Sequence, residues 1–131
     1  MRNPKRNDPF AELYGEFADR LRGDRWRPDV DVFETDTDVV VRVELAGVQQ
    51  GDVRVSVDGD KLLITGQRAT GESEAVCLHQ MEIATGPFER RVGIPVSFDR
   101  ERVSARLTDG VLTVRLAKRG PEQHRVEIES E

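Results

Sequence analysis

The chain has 131 residues, 37% hydrophobic and 34% charged, which is enough for one apolar core with short arms and too little for two domains. A net charge of −5 argues against a broad basic face for nucleic acid, and the single cysteine, Cys77, excludes an intrachain disulfide. The charged residues 1–8 lead into no apolar run of signal-peptide or membrane-spanning length, so a reducing, cytoplasmic setting is expected.

The first segment differs from everything after it. Residues 1–28 carry seven Arg/Lys against five Asp/Glu, whereas the remainder is acidic. Asp8-Pro9 is a good helix start, with Asp as cap and Pro in the first turn. Phe10, Leu13, Tyr14, Phe17 and Leu21 then recur at helical spacing as one apolar stripe, and Gly23 is a natural stop. So short a helix is marginal in water and needs something to pack on. It reads either as a helix laid on its own domain or as a sticky surface for partners and non-native chains.

From Arg27 onward the period is two. Val30 and Val32 alternate with Asp29 and Asp31. Further alternating runs are Val39 to Leu45, Val53-Val55-Val57, Leu62-Ile64-Gly66, Val103-Ala105-Leu107 and Leu112-Val114-Leu116. Each predicts a strand with one face inward and one wet. Asp58-Gly59 and Asp109-Gly110 are tight-hairpin dipeptides, because Gly readily takes positive φ. Aromatic residues make up only 5% of the chain, so Val, Leu and Ile must fill the core. Many short strands at close spacing predict an all-β sandwich.

Residues 67–85 break that rhythm. After a polar start comes a strand-like piece, 75–83, containing Val76, Cys77, Leu78, His79, Gln80, Met81 and Glu82. An insertion with its own strand usually has a function, and one is to add that strand to a neighbour's sheet edge.

Catalytic chemistry is not evident. The sequence has no G-x-x-x-x-G-K-[ST] phosphate loop and no G-x-G-x-x-G turn. Cys77 and His79 share a strand face, but a metal site needs three or four ligands and no others are obvious. The pair reads as structural or incidental. No Ser/His/Asp set declares itself, so neither an enzyme nor a cofactor is expected.

The chain ends with Val126 and Ile128 flanking Glu127, alone in a polar tail that follows Gly120-Pro121. Residues two apart on an extended backbone point to one side. The triplet reads as one more edge strand or as a two-pronged plug for a groove on another subunit.

Taken together, these stretches resemble the small heat shock proteins of the Hsp20, or α-crystallin, family, of bacterial or archaeal type. The resemblance runs from Trp26 to Ile128. Trp26-Arg27-Pro28-Asp29-Val30-Asp31-Val32 with Glu34 looks like the start of the family's domain. Leu45-Ala46-Gly47-Val48 is similar to its Leu-Pro-Gly-hydrophobic turn, and Leu62-Leu63-Ile64-Thr65-Gly66 to its central strand. Glu82, Gly86, Phe88 and Arg90, leading to Ile94-Pro95, match its E-x-x-x-G-x-F-x-R-x-x-x-[LI]-P signature. Ala105 with Asp109-Gly110-Val111-Leu112 matches its most diagnostic module, and Val126-Glu127-Ile128 its tail motif. Ala46 and Ala117 stand where proline is usual and Ile83 where arginine is common, which predicts slightly looser loops on the same fold.

The resemblance implies a variable N-terminal arm (1–25), an immunoglobulin-like α-crystallin domain (26–118) and a C-terminal extension (119–131). It implies an ATP-independent holdase that binds partly unfolded proteins and assembles into oligomers from strand-exchanged dimers. The implied partners are non-native clients and further copies of the chain, with neither nucleic acid nor membrane. Residues 76–82 would pair with the partner's sheet, with Arg90 near that interface beside a carboxylate. Val126 and Ile128 would dock between Val53, Val55 and Val57 on one strand and Val103, Ala105 and Leu107 on another. The alternative on the same sandwich is a p23-like co-chaperone adaptor with one dedicated partner. An adaptor would not need both an apolar arm and a tail plug.

Overall fold

The computed structural model describes residues 26–69, 74–120 and 126–130. The helical stripe expected at Phe10 to Leu21 lies outside them. Within them the chain is almost entirely β. Seven strands run in order: β1 (Val30–Glu34), β2 (Asp38–Glu44), β3 (Val53–Asp58), β4 (Lys61–Arg68), β5 (Gly86–Gly93), β6 (Phe98–Thr108) and β7 (Val111–Lys118). One 3₁₀ turn, Gln50–Asp52, precedes β3.

The strands form two antiparallel sheets, a four-stranded one in the order β1-β2-β7-β6 and a three-stranded one in the order β3-β4-β5. The alternation read from the sequence sets the core between them. Val39, Val41, Val43, Leu45, Leu112, Val114 and Leu116 come from one sheet, and Leu62, Ile64, Phe88 and Val92 from the other. At about 25 cal/mol per Å² of apolar surface removed from water, these rows supply the main drive for folding. The expected sandwich is what the chain forms.

The turns follow backbone chemistry. Asp109 and Gly110 both take positive φ, 53° and 77°, between the paired Thr108 and Val111. That is the pattern of a type I′ hairpin. At the other hairpin the turn sits one residue later than the Asp-Gly dipeptide suggests. Asp58 is the last ladder residue, paired with Lys61, and Gly59 takes the first central position at φ 63°. Gly47, at φ 79°, closes a turn in which the Val48 N–H donates to the Leu45 carbonyl at 3.0 Å. That turn has the type II requirement for positive φ at its third residue, met with Ala46 before it.

Two departures from the periodic reading have plain causes. β5 carries no simple apolar alternation because Arg90 shares the face of Phe88 and Val92; pairing with β4 along its whole length makes it a strand. In β1, Val32 is 41% and Phe33 45% exposed, although the alternation predicts an inward Val32. Four strands lie over three, so the outermost strand of the wider sheet has little beneath it.

Three contacts fix which edges lie together. The segment before β1 is tied to β5 by a bridge between Trp26 and Phe88 and by an Arg90 Nη1 hydrogen bond to the Pro28 carbonyl at 2.8 Å. Arg100, on β6, donates to the Gly59 carbonyl in the β3–β4 turn at 2.9 Å. The segment leading into β1 therefore lies against β5, and the β6 and β3 edges share the opposite side.

Candidate functional site: two sheet edges, a loop and a tail

The edge pair β3 and β6 carries the residues expected to form a groove. On β3, Val53, Val55 and Val57 are half-buried, whereas Arg54, Ser56 and Asp58 are exposed. On β6, Val103 and Leu107 are half-buried and Ala105 is exposed. The five larger side chains pack against the core with one flank and leave the other to solvent. Both strands are edges, so each has one side free of ladder partners within its sheet.

The tail residues sit apart from this groove. Val126 is 80% and Ile128 95% exposed, and residues 126–130 belong to no strand. The triplet is thus not another edge strand of its own domain. Burying two such side chains elsewhere removes an unfavourable apolar surface.

The loop 74–85 joins β4 to β5 without a ladder partner, so the strand expected over 75–83 is not formed within one chain. The reason is pairing rather than propensity: a strand exists only where another backbone completes its hydrogen bonds. Val76 is 98% and Ile83 74% exposed. Cys77, His79, Gln80 and Glu82 are also exposed, while Leu78 and Met81 are half-buried. Gln80 Nε2 donates to Glu82 Oε2 at 2.8 Å. Among the described residues β1 is an edge strand, and it exposes Val32 and Phe33.

Arg90 lies on β5 beside the β1 segment. Its Nη1 reaches the Pro28 carbonyl, whereas the family resemblance implies a carboxylate partner, and its Nε is buried with no hydrogen-bond partner. Sequence reasoning missed Arg68 altogether. This last residue of β4 stacks its guanidinium on Trp26, 4.2 Å from the ring centroid, and donates to two backbone carbonyls. An apolar-periodicity reading has no signal for a cation whose partners are carbonyls far along the chain.

Among the described residues no group of three or more His, Cys, Asp or Glu is placed to hold a metal ion. Among them, too, no helix is long and apolar enough to cross a membrane.

A protein-family comparison matches residues 31–129 to the Hsp20/alpha crystallin family. A probable 15 kDa heat shock protein of Leptospira interrogans is 31% identical over 131 residues, covering 100% of both chains. Among solved structures, heat shock protein 16.0 from Schizosaccharomyces pombe matches with a TM-score of 0.68 and 34% identity, over 82% of this chain and 100% of that one. A small heat-shock protein from Xylella fastidiosa, whose crystal structure is described as revealing a distinct high order structure, matches with a TM-score of 0.69 and 30% identity. That match covers 81% of this chain and 99% of the other. With three-quarters of its length matched and its sandwich shared with these proteins, the chain belongs to the Hsp20/alpha crystallin family.

Proposed function

We propose that the protein is an ATP-independent holdase, a chaperone that binds partly unfolded chains and keeps them from aggregating, and that it works as an oligomer built from dimers. One observation supports this reading: Val126 and Ile128 are exposed, and the β3 and β6 edges carry rows of half-buried apolar side chains that the described residues leave partly open to solvent. Two such features on every subunit suit a contact between copies. The dimer forms when residues 76–82 of one copy pair with the free β1 edge of another, which is strand addition. Arg90, next to that edge with a buried unpartnered Nε, takes a carboxylate of the second copy.

The energetics favour a dynamic assembly. Burying Val126 and Ile128 contributes about 1.5–3 kcal/mol each. Association costs on the order of 4–15 kcal/mol in lost freedom. One tail contact is therefore weak, and many on one assembly hold through effective concentration. Exchange of subunits uncovers the groove and the Phe10, Leu13, Tyr14, Phe17, Leu21 stripe, which are apolar patches suited to non-native chains. Holding a client in this way uses no nucleotide, no metal and no catalytic group.

The test is light scattering of a heated client protein with and without this chain, nucleotide omitted. Suppressed scattering is expected; unchanged scattering overturns the holdase reading. Replacing Val126 and Ile128 by Ala is expected to shrink the oligomer on a sizing column with light-scattering detection, and an unchanged mass removes the tail-docking claim. Deleting residues 1–25 is expected to weaken protection, and undiminished protection would place the client site elsewhere.

A further inference from the structure

At the neck of the 69–85 loop one arginine holds three separate stretches of chain. Arg68 and Gly86 form the last pair of the β4–β5 ladder. Beyond that pair, Arg68 Nε donates to the Ala84 carbonyl at 2.8 Å, closing the loop from its own far side. Its Nη1 donates to the Ala46 carbonyl at 3.1 Å, in the turn after β2. The flat face of the same guanidinium lies over the Trp26 ring, 4.2 Å from its centroid. Trp26 is where the N-terminal arm joins the domain. Its Nε1 donates to the Gly86 carbonyl at 3.0 Å, and its ring meets Phe88 edge-on with centroids 5.2 Å apart. Gly86 itself turns the chain back into β5 at φ 91°.

We infer that Arg68 is a positioning residue for the dimerisation loop, acting together with Trp26. The inference rests on the proposal that residues 76–82 pair with a second copy. The Arg68 bond to Ala84 ties residues 74–85 to the sandwich at the end of the ladder. Those residues are otherwise mostly exposed. The direction in which the loop leaves the sandwich, and so its reach towards the other copy, is set at this neck. A loop held at its neck loses less conformational freedom when its strand pairs. Arginine is needed because a planar fork can stack on an indole and donate in two diverging directions at once, and a lysine ammonium cannot. The same clasp joins the arm to the loop: displacing the arm at Trp26 slackens the neck, and dimer formation holds Trp26 in place.

The experiment uses the full chain and its single tryptophan. Arg68→Met, Arg68→Lys and Trp26→Phe are compared with the wild type in three measurements. These are Trp26 emission where the residue is present, hydrogen exchange of residues 74–85, and dimer dissociation on dilution by sedimentation. Arg68→Met is expected to shift Trp26 emission, speed loop exchange and raise the dimer dissociation constant roughly tenfold, the size of one lost charge-assisted hydrogen bond. Arg68→Lys is expected to fall between wild type and Arg68→Met. Trp26→Phe is expected to weaken the dimer, and adding Arg68→Met to it to cost little more, because residues of one clasp are non-additive. A wild-type dimer whose dissociation constant Arg68→Met leaves unchanged, while Trp26 emission shifts, overturns the positioning role alone. Full additivity of Trp26→Phe and Arg68→Met also overturns it. A wild type that is monomeric at every concentration overturns the dimer reading itself. Should Arg68→Met fail to fold, Arg68→Lys with Trp26→Phe carries the same test.

Discussion

Gly66 and Gly59 are glycines for different reasons, and substitution separates them. A Cβ on Gly66 would collide with the Asp52 carbonyl oxygen and come within 2.6 Å of the Phe88 ring. Neither neighbour can yield, because one is backbone and the other is 1% exposed in the core. Gly66→Ala is expected to cost at least about 2 kcal/mol, in the upper part of the range for overpacking. Gly59 has open space around its Cβ position but a φ of +63°. Gly59→Ala should therefore cost only about 1 kcal/mol, the penalty of left-handed backbone for an L-residue. Urea midpoints at unchanged slope measure both, and the reverse order would refute the assignment of causes. The glycine of the Leu62-Leu63-Ile64-Thr65-Gly66 stretch was visible in the sequence. Its reason was not, since Asp52 and Phe88 lie 14 and 22 positions away in the chain.

Strands show the same division between what a sequence displays and what only partners create. β2, β4 and β7 are legible because their inward rows begin with runs of Val, Leu and Ile: Val39-Val41-Val43, Leu62-Ile64 and Leu112-Val114-Leu116. β5 is hidden by Arg90 in its inward row, and only the ladder to β4 reveals it. The 75–83 stretch is the converse, with strand composition but no ladder within one chain. Its pairing can be probed with proline, which removes a backbone donor. Neighbouring residues of an edge strand alternate in which way the N–H points. One of Cys77→Pro and Leu78→Pro is therefore expected to disrupt the dimer severely and the other mildly, as read by native mass spectrometry. The unfolding midpoint should hold for both, because neither residue belongs to a ladder of its own sandwich. Two intact dimers would show that the loop donates no strand.

For the whole molecule, which edges lie side by side was not legible in the hydrophobic pattern, and only the family resemblance implied that the third and sixth strands flank one groove. The arrangement emerged from the Arg90–Pro28 and Arg100–Gly59 hydrogen bonds, whose partners are far apart in sequence. An assembly held by many weak plugs has a collective signature. Wild-type chains mixed in equal amounts with the Val126→Ala, Ile128→Ala chain are expected to lose more than half of the mass lost by the variant alone. The reason is that effective concentration falls as neighbouring links go missing. Light scattering of the mixture measures this, and a strictly proportional mass would argue for independent contacts. The plug's seat also has a limit of length. Along β6 the pairing with β7 shifts register between Phe98 and Val103, and the intervening Asp99, Arg100, Glu101 and Arg102 are all charged. The Asp99 carboxylate already takes the Glu101 N–H at 3.0 Å. The edge therefore offers a regular, apolar stretch only from Val103 to Leu107 before charge and irregular backbone end it. Amyloid growth needs long, flat, uncharged edges that accept strand after strand. If the proposed tail docking holds, this edge would receive a short peptide and no more, which would guard the protein against becoming a fibre seed itself.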